Sequence, residues 1–426
     1  MQILMLGWEY PPHISGGLGI ASQGLARALS ENHEVDFLLP RLRKEHSEST
    51  IRLVDAERSF DSSNWLRKKE LTKTIKFLDI GVELLPYMPP QYFAREKMAE
   101  SKETVVSETD ESRLIKSIKL TGTYHENLHA ELKKYALIAA HQASKKAYQI
   151  VHAHDWMTFQ AAIAVKKAAN ASFIAHIHST EYDRNGEHGD PAIIEREKEG
   201  LECADRVIAV SHRVKEVLTS RYQIPASKID VIFNGFDSTK YGKERAAYAS
   251  SKIVGFAGRF VHQKGVLQFV DIAREISNKD RDVHFVMAGD GYLMEEVREK
   301  IAKFNLTKKI TLTGFLAYDK MQRTLKHFDV LVLPSVSEPF GLVALEAVHQ
   351  NISVVTSEAS GLAEYIPSLP TAPQWDIFSF TRKVLAQLEH TYMSKNTVEK
   401  CFKEAKNLTW KKSAELTSAV YQTLIK

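Results

Sequence analysis

Two glutamates at a predicted helix start are the residues with the clearest potential for chemistry. Glu338 and Glu346 stand eight residues apart, just after an apolar strand. This spacing is just over two helical turns, so both carboxylates lie near one face. The amides of Phe340, Gly341 and Leu342 then belong to a helix N-terminus, which attracts phosphate. Phosphate beside carboxylates that accept hydrogen bonds from hydroxyls indicates a sugar nucleotide as ligand.

Two basic side chains follow the first strand of the second half of the chain. Arg259 comes directly after Gly258, and Lys264 precedes Gly265. Ligands of open α/β sheets bind beyond the carboxyl ends of the strands, so we expect these cations near the helix start at Gly341. Guanidinium and ammonium groups in that position can neutralise a diphosphate.

A glycine-rich loop separates the first strand from the first helix. Gly16, Gly17 and Gly19 fall within four residues, at a place that suits anion binding. The dinucleotide fingerprint fails because Ser22 stands where Gly or Ala is required. A nicotinamide-dependent dehydrogenase is therefore disfavoured. The simpler alternative is that these glycines only turn the chain.

Four histidines end two neighbouring predicted strands. His152 and His154 end one strand, and His176 and His178 end the next, with each pair on one strand face. Such a group is compatible with a metal-dependent hydrolase. No third cluster of Asp or His follows at the matching strand ends of the second half of the chain, and we expect no metal. We expect a functional role for His154, with His152 and His176 as buried structural residues.

The composition limits the class of protein and its partners. The chain has 426 residues, 44% of them hydrophobic and 26% charged, with a net charge of +4. These values are typical of a globular protein with room for two domains, and they disfavour nucleic acid as a partner. Peripheral membrane contact stays open, but no apolar run is long enough to span a bilayer. The two cysteines and a start that reads as a strand, not a signal peptide, predict a cytoplasmic protein.

The elements that must position these residues form two alternating series of strands and helices, which predicts parallel sheets in an α/β architecture. A polar stretch at 236–251 is interpreted as the linker between two domains. Residues 124–148 are predicted to form one long helix, whereas 41–120 are assigned no element. Three parts are predicted: a Rossmann-like domain at 1–240, a second at 250–407, and a last helix at 408–426.

Taken together, these motifs resemble the glycosyltransferases of family 4, and among them the glycogen and starch synthases. The resemblance spans nearly the whole chain and rests on several motifs in the right order. They are Ser15-Gly-Gly-Leu-Gly19, His152-Ala-His-Asp-Trp156, Phe233-Asn-Gly-Phe-Asp237, Gly258-Arg-Phe260, Gln263-Lys-Gly265, Glu338–Glu346 and Ser360-Gly-Leu-Ala-Glu364. The resemblance implies the GT-B fold, in which two Rossmann-like doubly wound domains face each other across a cleft and the last helix crosses back to the first domain.

The resemblance also implies roles for residues of the second domain. Arg259 and Lys264 would neutralise the diphosphate leaving group. Glu338 would bind hydroxyls of the donor hexose, and Glu346 the ribose. Donor binding would further involve the backbone at Gly258, Phe340, Gly341 and Leu342.

For the first domain, the resemblance implies that Gly16 and Gly17 approach the donor and that His154 lies near the reacting sugar. The implied reaction is retaining, metal-independent transfer of a hexose, with glucose favoured, from UDP- or ADP-glucose to a saccharide acceptor. The segment Glu181-Tyr182-Asp183 departs from the synthase pattern and is predicted to shape the acceptor site.

A second departure concerns the size of the acceptor. Ile14 and Ser15 stand where bacterial glycogen synthases usually carry a lysine, which weakens the case for polysaccharide synthesis and for ADP-glucose. A disaccharide synthase or phosphorylase of the same fold is the first alternative. A metal-dependent hydrolase built on the histidines and a non-catalytic binding module are the others.

Overall fold

The structure is a computed structural model, and the described residues fall into two compact units. It describes residues 1–11, 14, 16–42, 51–59, 119–122, 128–237, 252–389 and 391–425. Unit 1 comprises Met1–Val210, Val214–Ile232 and Ser413–Lys426. Unit 2 comprises Ser211–Arg213 and Phe233–Lys412. Most of 41–120 and the larger part of the predicted linker lie outside the described residues.

Unit 1 contains a seven-stranded parallel sheet. Its strands are β1 (Gln2–Leu6), β2 (Glu34–Leu39), β3 (Arg52–Asp55), β4 (Ile150–His154), β5 (Ser172–Ile177), β6 (Arg206–Ala209) and β7 (Ile229–Val231). In space the order is β3-β2-β1-β4-β5-β6-β7. All the pairings are parallel, so the carboxyl ends of all seven strands meet at one edge.

The helices of unit 1 cover the sheet because its central strands are apolar on both sides, which is typical of a parallel sheet. Every residue of β4 is buried, as are five of the six in β5. The helices are α1 (Gly17–Leu29), α2 (Ala56–Ser59), α3 (Leu128–Ala143), α4 (Trp156–Ala169), α5 (Glu181–Asn185), α6 (Pro191–Cys203) and most of α7 (His212–Ser220).

The long helix predicted at 124–148 is wrong at its C-terminal end. Helix α3 ends at Ala143, and residues 123–127 lie outside the described part. Beyond Ala143, Lys146 and Tyr148 both bond to the carboxylate of Asp36 in β2. These contacts hold the segment against the sheet and out of the helical path.

Unit 2 contains a six-stranded parallel sheet in the order β10-β9-β8-β11-β12-β13. The strands are β8 (Lys252–Ala257), β9 (Val283–Ala288), β10 (Ile310–Gly314), β11 (Val330–Leu333), β12 (Ser353–Ser357) and β13 (Thr371–Ala372). The prediction of two parallel α/β domains is therefore confirmed.

The core of unit 2 joins strand residues such as Phe256 and Phe285 to Phe269 of α8. The helices are α8 (Val266–Lys279), α9 (Met294–Lys303), α10 (Tyr318–Leu325), α11 (Leu342–His349), α12 (Gly361–Tyr365), α13 (Ile377–Glu389), α14 (Thr391–Ala405) and the first residues of α15 (Trp410–Gln422). In the described ranges, no helix combines the length and apolar character required to cross a bilayer.

Candidate active site

The turn before α11 is shaped by a glycine and pinned by backbone hydrogen bonds. Gly341 is the N-cap residue, with φ 103° and ψ 56°, in the left-handed region that disfavours other residues. The carbonyls of Glu338 and Phe340 accept hydrogen bonds from the amides of Gly361 and Leu362, at 2.9 and 2.8 Å. The first amides of α11 have no partner inside the helix, so the turn offers donors to an anion.

Glu338 and Lys264 contact each other directly. Lys264 Nζ lies 2.8 Å from both carboxylate oxygens of Glu338, and Ser335 Oγ donates to one of those oxygens at 3.0 Å. The pair is only partly shielded, with the side chains of Lys264 and Glu338 19% and 9% exposed. A cation and an acceptor carboxylate are thus placed together beside the helix start, although they are 74 residues apart in sequence.

Gly265 explains how Lys264 reaches this position. Lys264 ends a short 3-10 turn that begins at His262, and Gly265 follows with φ 67°. A Cβ atom added to Gly265 would lie 1.9 Å from the carbonyl oxygen of Pro334, at the end of β11. Only glycine permits this close approach, so the glycine positions the turn that carries Lys264.

Arg259 is held next to this turn by two glycines that sequence reasoning missed. Gly289 and Gly291 follow β9 with φ 147° and 159°. A Cβ atom on Gly289 would lie 1.8 Å from the carbonyl oxygen of Gly258. The signal was present in the sequence, as a Gly-Asp-Gly triplet directly after a predicted strand. The triplet packs under the loop of Arg259, whose side chain is half-buried.

Glu346 lies in a different environment from Glu338. It is buried within α11, and its carboxylate accepts a hydrogen bond from Gln322 Nε2 at 2.7 Å. Gln350 in turn donates to Gln322 Oε1 at 2.6 Å. Burial raises the pKa of Glu346 to about 7, against the opposing hydrogen bonds from Gln322 and Tyr318. Its carboxyl group is therefore protonated in part of the molecules at neutral pH.

The glycine-rich loop of unit 1 leads into an exposed helix start. Gly16 is the N-cap residue of α1 with φ −171°, an extended conformation open to any residue. Gly17 opens the helix and is exposed, whereas Gly19 is buried against Ile14. A Cβ atom on Gly19 would lie 2.4 Å from Ile14 Cγ2. The structure thus gives a packing reason for Gly19 and leaves Gly16 and Gly17 at the surface of the turn.

The four histidines form one cluster at the carboxyl ends of β4 and β5, where His154 and His176 are register partners. His152, His154 and His176 are buried, and His178 is half-buried. His152 Nε2 lies 3.0 Å from His176 Nδ1, and His154 Nδ1 lies 2.9 Å from His178 Nε2. The other ring nitrogen of His152 lies 2.6 Å from the hydroxyl of Tyr421 in α15. Two ring nitrogens, His154 Nε2 and His176 Nε2, have no hydrogen-bond partner.

Burial keeps this cluster neutral. Desolvation, reinforced by repulsion between the rings, lowers the pKa values of His152, His154 and His176 well below the ordinary range. Desolvation alone lowers the pKa of His178 to about 3. His152, His154 and His176 bring one ligand atom each within 4.8 Å of one another, so they are the described residues able to hold a metal ion. The hydrogen bond between His152 and His176, together with the strand register that pairs His154 with His176, explains the same proximity without one.

The segment predicted to shape the acceptor site is built on buried carboxylates. Glu181 is fully buried and accepts hydrogen bonds from Arg184 Nε at 2.8 Å and Asn185 Nδ2 at 2.7 Å. Asp183 accepts from the amide and hydroxyl of Thr180, both at 2.8 Å, which completes a capping box for α5. Both carboxylates thus brace the loop after β5.

Tyr182, the third residue of that segment, is half-buried. Its ring packs edge-on against Tyr222, with ring centroids 5.4 Å apart, and the guanidinium of Arg221 lies over it. Of the three side chains, only that of Tyr182 is exposed enough to contact a ligand.

Comparison with known proteins places these motifs in one family. The family model described as starch synthase catalytic domain matches residues 2–228, and the one described as glycosyl transferases group 1 matches residues 237–372. An uncharacterised glycosyltransferase of Methanocaldococcus jannaschii, MJ1607, is 27% identical over 391 residues, which cover 86% of this chain and 83% of the relative. The glycogen synthase of Mycobacterium tuberculosis is 24% identical over 377 residues, covering 86% and 80%.

Solved structures agree on the fold. A sucrose-phosphate synthase from Thermosynechococcus elongatus superposes with a TM-score of 0.75 at 18% identity, covering 99% of this chain and 98% of that one. Anabaena HepE in complex with UDP-glucose superposes with a TM-score of 0.66 at 15% identity, covering 99% of both chains. These neighbours have the GT-B fold. Since the starch synthase model spans more than half of the 426 residues, the chain belongs to the glycosyltransferases of the glycogen and starch synthase type.

Proposed function

We propose that the protein transfers a hexose, with glucose favoured, from a nucleoside diphosphate sugar to a saccharide acceptor, with retention of configuration and without a metal. The observation that carries the proposal is the contact of Lys264 with Glu338 at the start of α11, beside the loop of Arg259. A relative of the same fold, Anabaena HepE, has been solved with UDP-glucose. UDP-glucose and ADP-glucose are the donors we favour.

Charge neutralisation on the leaving diphosphate is the main catalytic contribution we assign. Negative charge grows on that diphosphate as the glycosidic bond breaks, and cations fixed in advance stabilise it best. Arg259, Lys264 and the first amides of α11 are the proposed donors. In this scheme Lys264 shifts from Glu338 toward the diphosphate, and Glu338 then accepts hydrogen bonds from hexose hydroxyls.

For Glu346 we propose the ribose contact, together with its neighbours Phe340, Gly341 and Leu342. Its carboxyl group now bonds to Gln322, so ribose binding requires that hydrogen bond to be shared or exchanged. The pKa of about 7 means that binding through the ionised form improves as pH rises through neutrality. A pH profile of nucleotide affinity in wild type and Glu346→Gln tests this role, and identical profiles would contradict it.

In unit 1 we propose that Gly16 and Gly17 contribute backbone contacts to the donor and that His154 acts near the reacting sugar. His154 is buried and neutral, so the proposed role is that of a neutral imidazole and not of a cation. The acceptor role of Glu181, Tyr182 and Asp183 stays a prediction. Because Glu181 and Asp183 are buried, we propose that they act indirectly, by holding the loop in which Tyr182 could contact the acceptor.

A small acceptor is the second candidate, as in a disaccharide synthase or phosphorylase. The observation in its favour is Ile14, whose methyl group packs on Gly19 where the related glycogen synthases would carry a lysine.

The two free cysteines, Cys203 exposed and Cys401 buried, fit a reducing compartment, so we also propose a cytoplasmic location.

The experiment is a donor screen with the purified full chain. UDP-glucose, ADP-glucose and GDP-glucose are each offered with maltose, glucose or glucose 6-phosphate as acceptor, and released nucleotide and product are followed by NMR. We expect release from one or two donors, an α-configured product from the α-configured donor, and no loss of rate in EDTA. A β-configured product would contradict retention, and loss of rate in EDTA would contradict metal independence. Phosphate-dependent release of sugar would favour the phosphorylase.

A further inference from the structure

A second site lies at the carboxyl ends of β2 and β3 in unit 1, away from the residues given roles above. It is a pocket of about 600 Å³. The residues that line it are Arg41, Leu42, Asp55, Glu57, Arg58, Lys119, Leu120 and Thr121. Strand β2 lies between β3 and β1 in the sheet, and the carboxyl end of β1 leads to the glycine-rich loop. The pocket therefore lies along the same sheet edge as Gly16, about two strand spacings, or roughly 10 Å, to one side.

The two carboxylates of the pocket wall are engaged within the protein. Glu57 accepts hydrogen bonds from Lys134 Nζ at 2.9 Å and from the amide of Leu120 at 3.0 Å. The side chain of Lys134 is only 2% exposed, so its ammonium group faces Glu57 and not the pocket. Asp55 accepts from the amides of Leu42 and Arg58, both at 2.9 Å. These bonds fix the backbone of the wall and compensate its negative charge.

The three cations of the wall are exposed. Arg58 is 3.6 Å from Asp55, a contact longer than a hydrogen bond, and its side chain is 63% exposed. The side chains of Arg41 and Lys119 are also exposed, and in the described ranges neither forms an ion pair or a hydrogen bond. The backbone that follows Lys119 is held in place, because Glu131 accepts hydrogen bonds from the amides of Thr121 and Gly122, at 2.8 and 3.2 Å.

We propose that this pocket binds the phosphate of a phosphorylated saccharide, which would be the acceptor of the transfer reaction. This step rests on the proposed function. Among the described lining residues, three cations stand against two internally bonded carboxylates, and this positive balance suits a dianion such as a phosphomonoester better than a single carboxylate. The planar forks of Arg41 and Arg58 match phosphate oxygens, and Lys119 adds a point charge.

The remaining wall suits the sugar. Among the described residues of the wall, Leu42 is a partly exposed apolar side chain and can pack against the C–H face of a pyranose, whereas Leu120 is buried behind it. A volume of about 600 Å³ is within the range typical of small-molecule sites and accommodates a hexose with its phosphate. An acceptor recognised here would be a small, charged sugar and not the neutral end of a polysaccharide.

The test is a binding measurement with the full chain and four probes: glucose 6-phosphate, glucose, glucuronate and inorganic phosphate. Isothermal titration should show that glucose 6-phosphate binds more tightly than each of the other three and that its affinity falls with added salt. Arg41→Ala, Arg58→Ala and Lys119→Ala should each weaken glucose 6-phosphate at least about tenfold, or about 1.4 kcal/mol. Lys145→Ala and Lys167→Ala, which remove exposed cations elsewhere in unit 1, should leave it unchanged.

Several outcomes would overturn the proposal. They are equal affinity for glucose and glucose 6-phosphate, tighter binding of glucuronate, equal affinity for inorganic phosphate, or unchanged affinity in all three pocket variants with native circular dichroism. The donor site is separable, because hydrolysis of the nucleotide sugar without acceptor should be normal in Arg41→Ala. If Arg259→Ala leaves that hydrolysis intact, the proposed function fails, whereas the binding result still decides what the pocket recognises.

Discussion

The carboxyl edges of the two sheets differ in the charge of their polar side chains. In unit 2 the edge is charged, with Lys264 and Glu338 paired at 2.8 Å and partly exposed. In unit 1 the centre of the edge is neutral, with three buried histidines and the half-buried His178 bonded ring to ring. Fixed charge is what stabilises a departing diphosphate, and a desolvated neutral cluster cannot supply it. We therefore propose leaving-group chemistry for unit 2 and a mainly structural role for the histidines other than His154.

The largest expected effect is on turnover, from the cations of unit 2. Removing one preorganised donor to a developing charge commonly costs about 3–4 kcal/mol. We therefore expect Arg259→Ala and Lys264→Ala each to lower turnover at least about a hundredfold, measured as nucleotide release, with unchanged circular dichroism.

Two control variants test whether turnover depends on where the removed cation lies or only on the loss of one positive charge. Lys300→Ala removes a lysine of similar exposure that pairs with Asp271 elsewhere in unit 2, and Arg298→Ala removes an exposed arginine. Both should turn over at the wild-type rate. Near-normal turnover in Arg259→Ala or Lys264→Ala would remove that residue from the mechanism and erase the contrast between the two edges.

The next effect is on stability, from the histidine cluster of unit 1. Tyr421→Phe removes the hydroxyl that lies 2.6 Å from His152 Nδ1 and leaves that nitrogen buried without a partner. An unsatisfied buried polar group costs about 1–3 kcal/mol. Urea unfolding should show a loss of that size, larger than in Tyr365→Phe, whose side chain is half-buried. Donor hydrolysis per folded molecule should not change, and a large loss of rate would mean that the cluster is catalytic.

A third effect concerns the response of unit 1 to acid. The pKa of His178 is lowered to about 3 by burial, so between pH about 6.5 and about 3 the unfolded chain binds a proton that the folded chain refuses. Its contribution to stability is therefore present above pH about 6.5 and is lost as pH falls. Burial raises the pKa values of Asp155 and Glu197 to about 7, and these two groups act in the opposite direction.

A difference measurement separates these opposing contributions. His178→Gln keeps an amide near His154 and removes the titration, so its stability should fall less steeply than that of wild type between pH about 6.5 and about 4. His188→Gln, at an exposed position, serves as the control and should follow wild type. Parallel curves for wild type and His178→Gln would show that burial of this ring does not govern the acid response.

The smallest expected effect is that of metal removal. If the hydrogen bonds between rings account for the proximity of His152, His154 and His176, chelation should leave the melting temperature and the rate of nucleotide release unchanged. A stoichiometric metal found by elemental analysis of purified protein, with a lower melting temperature after EDTA, would contradict this and revive the hydrolase alternative.

Sequence reasoning succeeded where the signal is local. Apolar runs predicted strands such as β9 (Val283–Ala288), and the glycine between two glutamates predicted the helix start at Gly341. It placed Lys264 near that helix start but could not identify individual contacts between distant positions. The pairing of Lys264 with Glu338 joins positions 74 residues apart, and that of His152 with Tyr421 joins positions 269 residues apart. Neither has a spacing that a one-dimensional pattern could reveal.

The acceptor segment shows a second limit. The polar residues of Glu181-Tyr182-Asp183 favour a binding loop at the surface. Whether such residues are buried depends on packing in the folded chain, which residue type alone does not reveal. Glu181 is held by Arg184 and Asn185, so its charge is directed inward. Conversely, Arg41 and Lys119 lie in stretches to which no element was assigned, and only the fold brings them together in one pocket.

Hydrogen–deuterium exchange with and without nucleotide tests most directly the central claim that the donor binds at the charged edge of unit 2. The full chain is compared alone and with saturating UDP or ADP, whichever the donor screen selects. The account predicts slower exchange in peptides covering 258–265 and 338–346, with no such protection in peptides covering 150–154 and 172–178. Protection confined to the histidine strands, or none in 338–346 at saturating nucleotide, would contradict it.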